Sequence, residues 1–181
     1  MSTQLTLVNQ SKVEENGQWS FTALGRDFLL DSIMEVNPNE AITHDIDGRM
    51  HHFKWWDSGG HQPNADRLQA FIDDMEKIAR EHHALFGVPD WPDYTTVLHL
   101  TDTGRGGLEH MNSQTSMMPR NCLFPDHDDE YRDLVSLFSH EYLHQWNVKR
   151  LRPKCFLDYD LQSEVHTDLL WWFGGGTYWL G

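Results

Sequence analysis

Ser139-His140-Glu141-Tyr142-Leu143-His144, running on through Gln145-Trp146-Asn147-Val148-Lys149-Arg150-Leu151-Arg152-Pro153, is the stretch whose reading decides the fold. In a helix, His140 and His144 stand one turn apart on one face and can offer two imidazole nitrogens to a single zinc ion. Glu141 stands beside them, placed to take a proton from water. Leu134, Val135, Phe138 and Tyr142 recur at helical spacing, Asp128 and Asp129 suit an N-cap and Pro153 a stop. A helix is therefore predicted from about Glu130 to Lys149 with the motif in its middle. Leu137, His140, Glu141, His144 and Val148 share one stripe, which turns the histidines and the glutamate inward. The chain has 12 histidines in 181 residues, so composition alone can also produce the pattern. The competing reading is a buried helix whose histidines only hydrogen-bond to neighbours.

Upstream lies Gly104-Arg105-Gly106-Gly107-Leu108-Glu109-His110. Its glycines allow a tight backbone path close to a ligand, but it has neither GxGxxG nor a following Lys-Ser/Thr, so it is no phosphate loop. Before it, Tyr94 to Thr101 alternates as a strand, with Val97, His99 and Thr101 on one face and Leu98 and Leu100 on the other. Asn64 to Phe86 is the cleanest amphipathic helix, with Leu68, Phe71, Ile72, Met75, Ile78, Ala79, Leu85 and Phe86 as its apolar stripe, Asn64 as cap, and Gly87 and Pro89 as its end. His82 and His83 are expected to serve its C-terminus and face solvent. Asp47-Gly48, between Ile42–Ile46 and Met50–Trp55, reads as a two-residue hairpin turn. His51 and His52 point to opposite faces of that hairpin and make no joint metal site.

The run from His140 to Pro153 resembles the signature of the glycyl-aminopeptidase family of gluzincin metallopeptidases, and Gly106-Gly107-Leu108-Glu109-His110 is similar to that family's GGLEH segment. Tyr159-Asp160-Leu161, Glu164, Thr167 and Leu169-Leu170-Trp171 also fall in register, and the likeness runs from about Asp27 to the C-terminus. It implies an α+β, thermolysin-like catalytic domain, mainly the N-terminal lobe carrying the HExxH helix. Residues 1–60 would be a β-rich junction from a preceding β domain and 61–181 the peptidase domain, C-terminally incomplete. It further implies Zn2+ as cofactor, His140 and His144 as ligands, Glu141 as general base and a peptide as substrate. In such folds a strand at 94–101 borders the cleft and can pair with extended substrate. Glu109, with Gly107 beside it, would meet the free α-amino group, which makes the activity an aminopeptidase's; a taste for glycine or alanine comes from the resemblance alone. A Glu109 lying idle in solvent is the plainer alternative.

A third zinc ligand is the difficulty. The resembling family supplies a glutamate from a segment LWxxEGxT, and here that segment is Leu170-Trp171-Trp172-Phe173-Gly174-Gly175-Gly176-Thr177. Gly174 stands where the glutamate belongs, and glycine offers no donor. Glu164, twenty residues after His144, is the substitute, on a helix expected from about Gln162 to Phe173 with Asp168 one turn on. The alternative function is a catalytically inactive homologue that binds peptides or serves as a scaffold. Trp171, Trp172 and Trp179 read as core, and Tyr178, the late tyrosine, takes no assigned role.

Composition bounds the rest. A formal net charge of -14 argues against a nucleic-acid surface and against anionic membranes. The N-terminus carries no basic and apolar leader pattern and no apolar run is long enough for a bilayer, so a soluble cytoplasmic protein is expected. Cys122 and Cys155 lack CxxC spacing and read as reduced thiols.

Overall fold

The computed structural model describes residues 4–7, 10–16, 18–158 and 160–177. Two small antiparallel pairs come first: β1 (Gln4–Leu7) with β4 (Met34–Asn37), and β2 (Gln10–Glu15) with β3 (Gln18–Ala23), the short helix α1 (Arg26–Leu30) lying between β3 and β4. The main sheet follows. Its strands are β5 (Ile42–Ile46), β6 (Arg49–Asp57), β7 (Asp93–Thr101), β8 (Gly106–Glu109) and β9 (Ser113–Pro119), in the spatial order β5-β6-β7-β9-β8. Helices α2 (Ala65–Phe86) and α3 (Asp128–Leu143) complete the layer. The fold is mixed α+β, as expected. Among the described residues no helix is long and apolar enough to cross a membrane.

The β5–β6 hairpin closes through Asp47 and Gly48, both at positive φ (55° and 79°), the pair of left-handed residues a two-residue turn demands. β6 then runs parallel to β7, and β7 parallel to β9. Val97, Leu98 and Leu100 are all fully buried, because a strand with a neighbour on each side and covered faces has no solvent side to spare. This corrects one expectation. β7 is central and cannot add a substrate strand; among the described residues the sheet's edges are β5 and β8, and β8, paired with β9, is the edge against α3.

α2 begins where Asn64 accepts a hydrogen bond from the Arg67 amide at 3.0 Å and ends at Gly87. Phe71, Ile72, Met75 and Ala79 face inward, but Leu85 and Phe86 are exposed, contrary to the expected stripe. The buried places in that last turn go to His82 and His83, which pack on Tyr142 of α3 instead of reaching solvent. Phe53, Phe71, Phe138, Tyr142 and Tyr94 then form a chain of ring contacts from the sheet to both helices, at centroid distances of 4.7 to 6.0 Å. Burying each such ring contributes on the order of 2–3 kcal/mol.

α3 departs from expectation at both ends. Its N-cap is His127, with no side-chain cap; Asp128, Asp129 and Glu130 occupy the first turn, where carboxylates meet the positive end of the helix. It stops at Leu143, with His144 as the C-cap, so the motif sits at the helix end and not in its middle. The chain turns there because Val148 adopts φ 97°, its amide bonding to Leu151 O at 3.1 Å, while Lys149 N bonds back to His144 O.

The expected helix over 162–173 also does not form. Asp160 Oδ1 takes the Gln162 amide and Thr167 Oγ1 the Leu169 amide, local turns that replace helical bonds, and winding begins only at Leu170, with a π-helical stretch at Trp171–Gly176. Trp171 is 69% exposed and Trp172 is exposed too, so neither is core. Tyr159, Tyr178 and Trp179 lie outside the described residues.

Candidate active site

The last turn of α3 brings His140, Glu141 and His144 together, with their potential ligand atoms within 4.8 Å of one another. The two Nε2 atoms are 3.2 Å apart and the rings stand nearly perpendicular, at 87°. His144 Nδ1 lies 2.8 Å from the Asn147 carbonyl, a group that only accepts, so the proton sits on Nδ1 and the Nε2 lone pair points into the site. The turn that ends α3 is what supplies this carbonyl.

Glu141 is 4% exposed and presses against β8: a β-carbon on Gly107 would collide with its carboxyl. Burial, then the charge of Glu109, raises the Glu141 carboxyl to about 7, with Arg105 opposing. Burial and His144 lower His140, while Glu109 works the other way. Glu109 thus faces the motif from the end of β8. Arg105 holds β8 down by a two-pronged contact with Asp133 of α3, at 2.7 and 2.6 Å. Glu141 Oε2 is buried without a hydrogen-bond partner among the described residues.

Asp31, just beyond α1, clamps the flanks. It accepts from Lys149 Nζ at 2.7 Å and from the Met111 amide at 2.6 Å, and His110 Nδ1 is 3.5 Å away. Behind the motif, the Tyr142 hydroxyl lies 2.8 Å from His51 Nε2 and 2.9 Å from His83 Nε2, and His83 Nδ1 is 2.8 Å from Asp47. Sequence reading missed both features. An isolated Asp at the end of a short helix carries no pattern, and the two histidines sit on different elements far apart in sequence.

The expected residues do not all converge. Glu164 sits in a non-helical segment, its side chain 88% exposed and 3.6 Å from His166, and it does not join the group of His140, Glu141 and His144. The helix meant to bring it inward does not form. Gly174 lies in the π-helical stretch with open space where a β-carbon would stand. That stretch is tied to the motif, because Asn147 Nδ2 donates to Thr177 Oγ1 at 2.7 Å.

The donors fit zinc in part. Two imidazoles at zinc–nitrogen distances of ~2.05 Å on a tetrahedral ion stand roughly 3.4 Å apart, close to the 3.2 Å seen. Two lone pairs converging at this distance need a shared proton or a cation between them. Among the described residues Glu141 is the only carboxylate that joins them.

Residues 133–181 match the family of M61 glycyl aminopeptidases. This M61 match begins in α3 and takes in the whole motif. Among solved structures, the chain superposes on an aminopeptidase N family protein from Idiomarina loihiensis with a TM-score of 0.83 and 29% identity, over 97% of this chain and 30% of that one. It therefore spans under a third of that protein's length. An M1 zinc metallopeptidase from Deinococcus radiodurans is far looser, at 18% identity and a TM-score of 0.43 over 81% of this chain and 32% of that one. Among curated proteins none matches. The family resemblance read from His140 to Pro153 is thereby borne out.

Proposed function

We propose that this chain carries the reactive half of a zinc-dependent aminopeptidase site. The observation behind the reading is the convergence of the His140 and His144 Nε2 atoms beside a buried Glu141 carboxyl. Zinc, when bound by the two histidines, supplies a Lewis acid that makes water a nucleophile near neutral pH and polarises a peptide carbonyl. Glu141, through its unpartnered Oε2, would take a proton from the attacking water and hand it to the departing amine. Glu109, at the end of the edge strand, accepts hydrogen bonds from the substrate's α-ammonium and so selects the first peptide bond. Gly107 lets β8 lie flat against Glu141. Residues 1–60 as the end of a preceding β domain and 61–181 as the peptidase domain belong to the same proposal, as do glycyl and alanyl substrates. β5 and β6 nonetheless join the sheet of the later residues.

Gly174 and the solvent-exposed Glu164 favour a second reading, a silent homologue that keeps the peptide groove. Zinc stoichiometry by elemental analysis, chelator competition and release of glycine or alanine from short peptides separate the two. Bound zinc with hydrolysis that disappears in Glu141→Gln supports the peptidase. Hydrolysis equal in wild type and Glu141→Gln, or absent from the zinc-loaded chain, overturns it.

A further inference from the structure

Between the end of β8 and the chain that follows α3 lies an open groove of about 400 Å³, lined by Glu109, Val148, Lys149, Arg152, Phe156 and Val165. Volumes of this order hold small ligands and give room for a peptide of two or three residues. Its walls are apolar where Val148, Phe156 and Val165 contribute, and its charges are of opposite sign: an acid from β8, two cations from the turn. One cation is already engaged, because Lys149 Nζ is 2.7 Å from Asp31. Arg152 is exposed, and its guanidinium donates to the Lys149 carbonyl at 2.6 Å with no carboxylate partner among the described residues. A guanidinium has five donors in a planar fork, so this bond leaves most of it available, and a carboxylate is the group that fork fits best. The positive φ of Val148 and the Val148–Leu151 bond turn the chain back here, which sets Lys149 and Arg152 into the wall facing Glu109.

We propose that this groove grips its peptide by both charges: the α-ammonium at Glu109 and a carboxylate at Arg152. Resting on the aminopeptidase reading of Glu109, this names the substrate class as short peptides bearing a carboxylate near the free amino terminus. That carboxylate can be the C-terminus of a di- or tripeptide or an acidic side chain; the chemistry is shared.

The test is calorimetric binding to the full chain, with Ala-Ala, Ala-Ala amide, Ala-Asp amide and N-acetyl-Ala-Ala as probes. Ala-Ala should bind roughly tenfold more tightly than its amide, the order of one charge-assisted hydrogen bond at a half-open site. Arg152→Gln should erase that difference and Arg152→Lys restore part of it, so a folding defect cannot mimic the result. Recovery of affinity by Ala-Asp amide assigns the side-chain source, and its absence assigns the C-terminus. Equal affinity for Ala-Ala and its amide, or an Arg152→Gln variant that still discriminates, overturns the proposal. If N-acetylation still weakens binding in that case, Glu109 keeps its role and the carboxylate grip alone fails. If N-acetylation has no effect, or no probe binds, both readings fail.

Discussion

Asp31 Oδ1 lies 2.7 Å from Lys149 Nζ, joining the segment after α1 to the turn after α3 across 118 positions of sequence. Its other oxygen holds the Met111 amide beside the edge strand. Burial alone would raise the Asp31 carboxyl, and hydrogen bonds from His110, Lys149 and Met111 more than offset it, so the group titrates below its ordinary range. A carboxyl lowered in the folded state stabilises above its unfolded pKa, and that stability is lost as pH falls below about 3.8. Asp31→Asn should cost about 1–2 kcal/mol at neutral pH by urea unfolding. An unchanged midpoint would show that Asp31 does not clamp these segments.

Gly107→Ala tests the contact between β8 and the motif. The added methyl would stand 2.6 Å from Glu141 Cγ, so the glutamate must swing away or the strand must lift. Hydrolysis should fall by roughly 10²-fold, as for a displaced general base, while zinc affinity holds. A variant with wild-type turnover would mean that Glu141 does not act from this position.

The His51–Tyr142–His83 link makes stability sensitive to mild acid. One hydroxyl between two imidazoles donates to one and accepts from the other, which requires at least one neutral ring. Burial lowers His51 from 6.5 to about 4, and burial lowers His83 too, despite Asp47. Between about pH 6.5 and 4 the unfolded chain therefore holds more protons, so stability is full above that window and falls on acidification through it. Urea midpoints at pH 7 and pH 5 should differ clearly in wild type and less in His51→Gln. Parallel pH slopes for the two proteins would contradict this.

Two substitutions probe the missing ligand. Glu164→Ala should leave zinc affinity as it was, because that side chain projects into solvent. Gly174→Glu meets open space at its β-carbon and needs no unusual φ, so the carboxylate can be accommodated; it should tighten zinc by roughly tenfold or more in chelator competition. Loss of zinc in Glu164→Ala would show that the segment at 160–168 refolds onto the metal.

Where local chemistry determines structure, the sequence was readable. Asn64 and Gly87 mark α2, Asp47-Gly48 marks the hairpin, and the spacing of His140 and His144 marks the motif. Long-range pairing was not readable in the same way. β9, Ser113-Gln114-Thr115-Ser116-Met117-Met118-Pro119, is too polar to look like a strand, yet it lies between β7 and β8, so the edge falls at β8, two strands out from β7. His82 and His83 looked like helix-end polar residues because their partner, Tyr142, is about sixty positions away. The early end of α3 depends on Val148, whose β-branched side chain gives no warning of a left-handed backbone.

That same Val148 sets a conflict between durability and use. A β-branched residue at φ 97° holds about 1–3 kcal/mol of conformational strain. Selection for heat resistance alone would trade it for glycine and gain a calmer loop. The groove wall would then lose the stiffness that aims Arg152, so a thermally improved variant of this chain should be a poorer judge of its ligands.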